Sequence, residues 1–151
     1  MLTIRKAQDE DIELLYTFEA ACFSDPWSRK SLRDTLHEER SCMLIAENDG
    51  VACGYLNATW VLDEMNLNRV CVLPEMRRCG AGSLLVKAMF DAAKENAVTV
   101  IFLEVRESNE AAQRVYLRHG FTAVGRRPGF YQNPPEAGII MTAAVDTGEN
   151  A

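Results

Sequence analysis

The chain has 151 residues, 48% hydrophobic and 25% charged, with a formal net charge of −6. This length suits one domain with an ordinary core, and the acidic balance disfavours nonspecific binding to nucleic acid while favouring a cationic partner. No apolar run is long enough to span a bilayer and the first residues lack signal-peptide architecture, so the expected location is the cytoplasm, without membrane attachment.

Leu2 to Lys6 reads as a first strand. Asp9 to Asp11 then caps a helix whose buried stripe is Ile12, Leu15, Phe18 and Cys22. Phe23-Ser24-Asp25-Pro26-Trp27-Ser28 breaks that helix, and Ser28 caps a second one carrying Leu32, Thr35 and Leu36. Trp27 plugs the helix–helix corner or lines a substrate cleft; the two roles are compatible. From Cys42 the period changes to two. Cys42 to Glu47 and Val51 to Val61 form a hairpin, because Asp49-Gly50 supplies the positive φ angles of its turn.

Met65 to Val72 is a central alternating strand stopped at Pro74. The loop Arg77-Arg78-Cys79-Gly80-Ala81-Gly82 follows, and then a helix to Glu95 with the stripe Ala81, Leu84, Leu85, Ala88, Met89 and Ala92. A basic, glycine-containing loop opening a helix is a ready anion site, since the first-turn N–H groups lack intrahelical partners and carry the positive end of the dipole. The loop lacks the Gly-Lys-Ser/Thr ending of a P-loop and the third glycine of the dinucleotide fingerprint. A pyrophosphate cradle is expected; an ordinary strand-to-helix turn is the alternative.

Val98 to Leu103 is a continuous apolar run, as in a strand covered on both faces, and should lie parallel to the central strand across the helical crossover. Glu104 stands at its end, where a charge must reach water, pair with Arg106 or Arg69, or do chemistry. Ser108-Asn109 caps a helix with Ala112, Val115, Tyr116 and His119 on one face, and His119-Gly120-Phe121 ends it. Phe121 to Gly125 and Gly138 to Val145 are the last strands, joined by a long aromatic loop from Arg126 to Pro135. Residues 1–145 are expected to form one domain, and Asp146 to Ala151 a disordered tail. Cys22, Cys42, Cys53, Cys71 and Cys79 read as reduced packing residues, and His37 and His119 are too scattered to suggest a metal site.

The loop Arg77 to Gly82, Leu103-Glu104-Val105-Arg106, Ser108-Asn109-Glu110-Ala111-Ala112, Tyr116 and Gly120-Phe121, in this order of elements, together resemble the GNAT superfamily of N-acetyltransferases. Phe23-Ser24-Asp25-Pro26-Trp27-Ser28, Arg126-Arg127 and Ile139-Ile140-Met141 are most similar to its RimI-type ribosomal-protein alanine N-acetyltransferases. The resemblance implies an α/β (α+β) GNAT fold, a mixed and largely antiparallel sheet with a central parallel pair and flanking helices. It implies acetyl transfer from acetyl-CoA, without a metal, to the N-terminal amine of a basic ribosomal protein, by a monomer or weak dimer. Backbone groups of Val70, Cys71 and Val72 would hold the pantetheine arm, Arg78, Cys79, Gly80, Ala81, Gly82 and Ser83 the pyrophosphate, and Asn109 would touch the cofactor beyond. Glu104 matches the general base and Tyr116 the general acid, roles that suit an amine losing a proton and a thiolate gaining one. Ordinary core packing is the other reading of Tyr116. Trp27, Phe130 and Tyr131 are candidates for the substrate slot. The same machinery could serve a lysine side chain or a small-molecule amine, or survive as a non-catalytic acetyl-CoA-binding module.

Overall fold

The shift from helical to alternating periodicity, and back, sets the architecture of the computed structural model, which describes residues 1–77 and 79–146. Strands β1 (Leu2–Lys6), β2 (Ser41–Asn48), β3 (Val51–Val61), β4 (Glu64–Val72), β5 (Val100–Arg106), β6 (Thr122–Tyr131) and β7 (Glu136–Ala144) are joined by helices α1 (Ile12–Cys22), α2 (Arg29–Leu36), α3 (Ala81–Glu95) and α4 (Glu110–Arg118). They form one seven-stranded sheet in the order β1-β2-β3-β4-β5-β7-β6. The sheet is mixed and mostly antiparallel, with a parallel β4–β5 pair and flanking helices, as expected of the GNAT class. Residues of the expected tail from 147 onward lie outside the described residues. Among the described residues no helix is long and apolar enough to cross a membrane.

The chain divides into two compact units, residues 1–59 with 68–89, and 60–67 with 90–151. In the first, β1 pairs with β2 and β2 with β3, both antiparallel. Asp49 (φ 52°) and Gly50 (φ 82°) form the predicted hairpin turn in the left-handed region. Ile12, Leu15, Phe18, Leu32, Met43, Ile45 and Tyr55 make the core against which Trp27 and Leu36 pack. Asp9 does not cap α1. Asp9–Asp11 instead forms a short 3-10 turn ahead of α1, Asp11 takes a bidentate pair of bonds from Arg5 (2.8 and 2.9 Å), and Asp9 meets His37. Ser28 caps α2 as expected, its Oγ accepting from the Ser31 N–H at 3.0 Å.

In the second unit, β5 pairs in parallel with β4 at Val100–Phe102 and Glu64–Asn66, and antiparallel with β7 along its length. Three expectations change. The strand predicted at Val98 to Leu103 runs Val100–Arg106 with alternating burial, because Val98 is tied back to the Ala93 carbonyl (2.9 Å). Glu104 therefore stands inside the strand. The loop predicted from Arg126 to Pro135 shrinks to residues 132–135, since β6 continues to Tyr131. As an edge strand β6 tolerates Pro128, whose missing N–H costs no ladder bond there. Its exposed face also carries none of the apolar alternation that marks a strand. The buried residues of α3 are Ala81, Leu85, Val86, Met89 and Ala93, rotated from the predicted stripe. Gly120 (φ 90°) ends α4 in the left-handed conformation, as expected.

Candidate active site

The loop predicted as a cradle lies in the first unit, ahead of α3. Gly80 has φ 89°, a conformation that L side chains rarely adopt, and so turns the chain into α3. The Leu84 N–H donates to the Gly80 carbonyl (3.0 Å), so the first turn of α3 is wound directly onto the glycine loop. Gly82 differs from Gly80: among the described residues a Cβ there would meet only Val72 Cγ2, at 3.8 Å, so packing against them does not demand a glycine. Arg77 is turned back, its Nε donating to the Val72 carbonyl (3.1 Å), and Cys79 Sγ donates to the Met76 carbonyl (2.9 Å). Arg78 lies outside the described residues.

On β4 the side chain of Cys71 is buried beside that of Cys22. The neighbouring thiol and the burial both push the Cys71 thiol up, so it stays protonated within the core. Gly54 of β3 explains how close the β4 backbone lies, since a Cβ there would stand 2.5 Å from the Cys71 carbonyl oxygen. Trp27 is placed by packing on the α1–α2 core and by its backbone N–H, which donates to Glu19 Oε1 at 2.9 Å. Glu19, fully buried, also accepts from the Tyr55 hydroxyl and lies 3.4 Å from Arg69 Nε, while the Arg69 guanidinium covers the Phe23 ring at 4.1 Å. Sequence reasoning missed this group. The available signal was a glutamate on the apolar stripe of α1, in step with Ile12 and Leu15.

The second unit brings Glu104, Phe130 and Tyr131 together. Between Arg127 opposite Gly138 and Tyr131 opposite Glu136, β6 bulges, with Gly129 at φ 65°. The bulge lets the adjacent rings of Phe130 and Tyr131 meet edge to face, with centroids 4.9 Å apart, instead of pointing to opposite faces. Both rings and Glu104 Oε2 approach Gly138 so closely that a Cβ there would lie 3.3 Å from all three. Glu104 Oε2 is buried with no hydrogen-bond partner among the described residues. Oε1 lies 3.4 Å from Arg127 Nη1, a partner different from the Arg106 or Arg69 considered from sequence. Arg106 instead pairs with Glu136 (3.3 Å) and covers the Tyr131 ring at 4.6 Å. Gly138 and Arg127 were not foreseen as site residues, although a glycine inside a strand flags a close approach.

Tyr116 is buried on α4, edge-on to Phe121 with ring centroids 5.7 Å apart, so it packs as part of the core whatever else it does. Burial, and secondarily Tyr131, pushes its phenol well above the usual range. Asn109 is the N-cap of α4, its Oδ1 accepting from the Ala112 N–H at 3.1 Å.

Residues 12–121 match the acetyltransferase (GNAT) family. The chain belongs to that family, whose acetyl donor is acetyl-CoA. It is 34% identical to the [ribosomal protein bS18]-alanine N-acetyltransferase of Haemophilus influenzae over 93% of this chain and 97% of that protein. It is 29% identical to the protein of the same name from Escherichia coli, over 96% and 99% of the two chains. The crystal structure of the ribosomal-protein-S18-alanine N-acetyltransferase from Escherichia coli superposes with a TM-score of 0.87, covering 96% of this chain and 94% of that one.

Proposed function

We propose that this chain moves the acetyl group of acetyl-CoA to the α-amino group of a protein N-terminus, that of a ribosomal protein beginning with alanine, bS18 being the substrate named for its relatives. The observation that carries the chemistry is the Glu104 carboxylate, held inside β5 with one oxygen sealed and unpartnered beside two aromatic rings. An ammonium ion is the complement of such a group, since it can satisfy the oxygen and lie on the ring faces at once. An α-amine, with a reference pKa of about 7.7–8.0 against about 10.4 for lysine, needs only a modest base near neutral pH. A net charge of −6 favours a basic protein as acceptor.

In this reading acetyl-CoA supplies an activated thioester carbonyl. Glu104 removes the proton from the amine, directly or through water, so that the nitrogen lone pair can attack. Tyr116 holds a proton for the departing thiolate. Its raised pKa keeps the proton on the phenol until a thiolate taken out of water, destabilised by the same burial, demands it. Backbone groups of Val70, Cys71 and Val72 bind the pantetheine arm. Arg78, Cys79, Gly80, Ala81, Gly82 and Ser83 bind the pyrophosphate, and the space left by a Gly82 that packing does not require suits close approach of a phosphate. Asn109 meets the cofactor beyond; Phe130 and Tyr131 bind the first residues of the acceptor, with Trp27 a third contact. Residues 1–145 act as one catalytic domain. The test is release of free coenzyme A, with mass-spectrometric mapping, from peptides beginning Ala-Arg, from the same peptides with a blocked N-terminus, and from blocked peptides with an internal lysine. Acetyl appears only on the free α-amine; acetyl on the lysine with the α-amine ignored overturns the assignment.

A further inference from the structure

The unpartnered oxygen of Glu104 is sealed from solvent, yet a base must be reached by its substrate. What crowds it is identifiable. Oε2 and the rings of Phe130 and Tyr131 share the space over the Cα of Gly138, each 3.3 Å from where a Cβ would stand, and the Arg127 guanidinium lies 5.5 Å over the Phe130 ring while its Nη1 sits 3.4 Å from the other oxygen, Oε1. Arg127 thus faces both the carboxylate and a ring packed beside it. Its hold is loose, because its side chain is 58% exposed and a separation of 3.4 Å is longer than a good charge-assisted bond. A half-exposed pair of this kind contributes little stability, so a competing cation can replace it at small cost. The neighbouring arginines are committed elsewhere: Arg126 to Glu107 (2.5 Å) and Arg106 to Glu136 (3.3 Å) together with the Gln132 and Pro134 carbonyls.

We propose that Arg127 is a positioning residue that stands in for the substrate's ammonium group: in the free enzyme its guanidinium occupies the cation position beside Glu104 and pins Phe130, and the incoming amine displaces it. An ammonium at Oε2 and the Arg127 guanidinium at Oε1 of one partly desolvated carboxylate repel each other, so binding of the ammonium weakens the Arg127–Glu104 pair and the pair weakens binding of the ammonium. The arrangement selects for a cationic acceptor, because a neutral group does not compete for the carboxylate. It also keeps the base covered between turnovers.

The inference rests on the amine-acetylating reading of the site, and its test separates the two. Calorimetric titration of the intact protein with a peptide beginning Ala-Arg, and with the same peptide acetylated at its N-terminus, reads the competition without turnover. Replacing Arg127 by Ala removes the competitor, so the free-amine peptide binds about two- to fivefold tighter, the range of a half-exposed ion pair. The blocked peptide is unaffected. Arg127→Lys restores wild-type affinity, and in an E104Q background R127A changes nothing. Unchanged or weaker binding of the free amine by R127A overturns the inference, since an arginine that supports the fold or touches the acceptor gives that result. A protein that shows the expected pattern but moves no acetyl group in the peptide assay overturns the proposed function and leaves the role of Arg127 standing.

Discussion

A buried carboxylate oxygen without a partner costs a domain several tenths to a few kcal/mol, and such a cost at Glu104 is intelligible where the oxygen awaits a ligand. Glu104→Gln keeps the shape and removes the basicity. Turnover on a free-amine peptide is expected to fall roughly 100- to 10,000-fold, the usual contribution of one general base, while calorimetric affinity for acetyl-CoA stays as it was. A variant with full turnover would take Glu104 out of the chemistry. Tyr116→Phe removes one hydroxyl and leaves the edge-to-face contact with Phe121 in place. The melting temperature is therefore expected to hold while turnover drops within the same range of roughly 100- to 10,000-fold. Loss of stability with full activity in the remaining folded enzyme would reduce Tyr116 to a packing residue.

At the scale of elements, two glycines of the first unit make opposite predictions. A Cβ on Gly54 would stand 2.5 Å from the Cys71 carbonyl oxygen and 3.2 Å from Val72 Cα, so Gly54→Ala must push β3 from β4. The expected cost is about 1–3 kcal/mol in urea unfolding, with weaker acetyl-CoA binding as the strand backbone shifts. Gly82→Glu has room within the fold and puts a carboxylate in the first turn of α3, where the helix dipole welcomes it. Stability should hold or rise while acetyl-CoA affinity falls roughly tenfold or more, from like charge against the pyrophosphate and a lost backbone approach. Unaltered affinity in the folded variant would end the cradle assignment. The same elements mark what the sequence makes legible. The hairpin at Asp49-Gly50, the parallel pair and the cap at Ser28 follow from turn chemistry and periodicity, which are local. The extension of β6 to Tyr131 does not, because an exposed edge strand with a proline and a bulge lacks the alternation by which strands are recognised. The partner of Glu104 was likewise hidden: Arg127 is brought to it by the register of β6 on β7 and β7 on β5, a fact of pairing and not of spacing.

For the whole molecule, pH acts on carboxylates of opposite sign. Asp11, held down by Arg5 and by the Gln8 N–H, and Glu136, held down by Ser108 and Arg106, have folded pKa values below their unfolded ones. Their contribution is present above the unfolded range of about 4 and is lost as pH falls through the folded values, which is ordinary acid destabilisation. Glu19 runs the other way. Burial raises its pKa, against the Trp27 N–H and Arg69, which lower it. The folded state therefore holds this proton more tightly than the unfolded chain does. The stability it contributes is full below the unfolded value of about 4.3 and declines as pH rises through the raised folded value. Glu19→Gln removes that slope. It keeps an acceptor for the Tyr55 hydroxyl and the Trp27 N–H but gives up the charge facing Arg69. Urea unfolding of the two proteins across about pH 4 to pH 8 should give curves whose difference changes steadily above the unfolded glutamate pKa of about 4.3, the wild type losing ground to the variant as pH rises. A constant offset would mean that Glu19 keeps one protonation state throughout that range. In that event the anchoring of Trp27 by Glu19 would be independent of pH over that range.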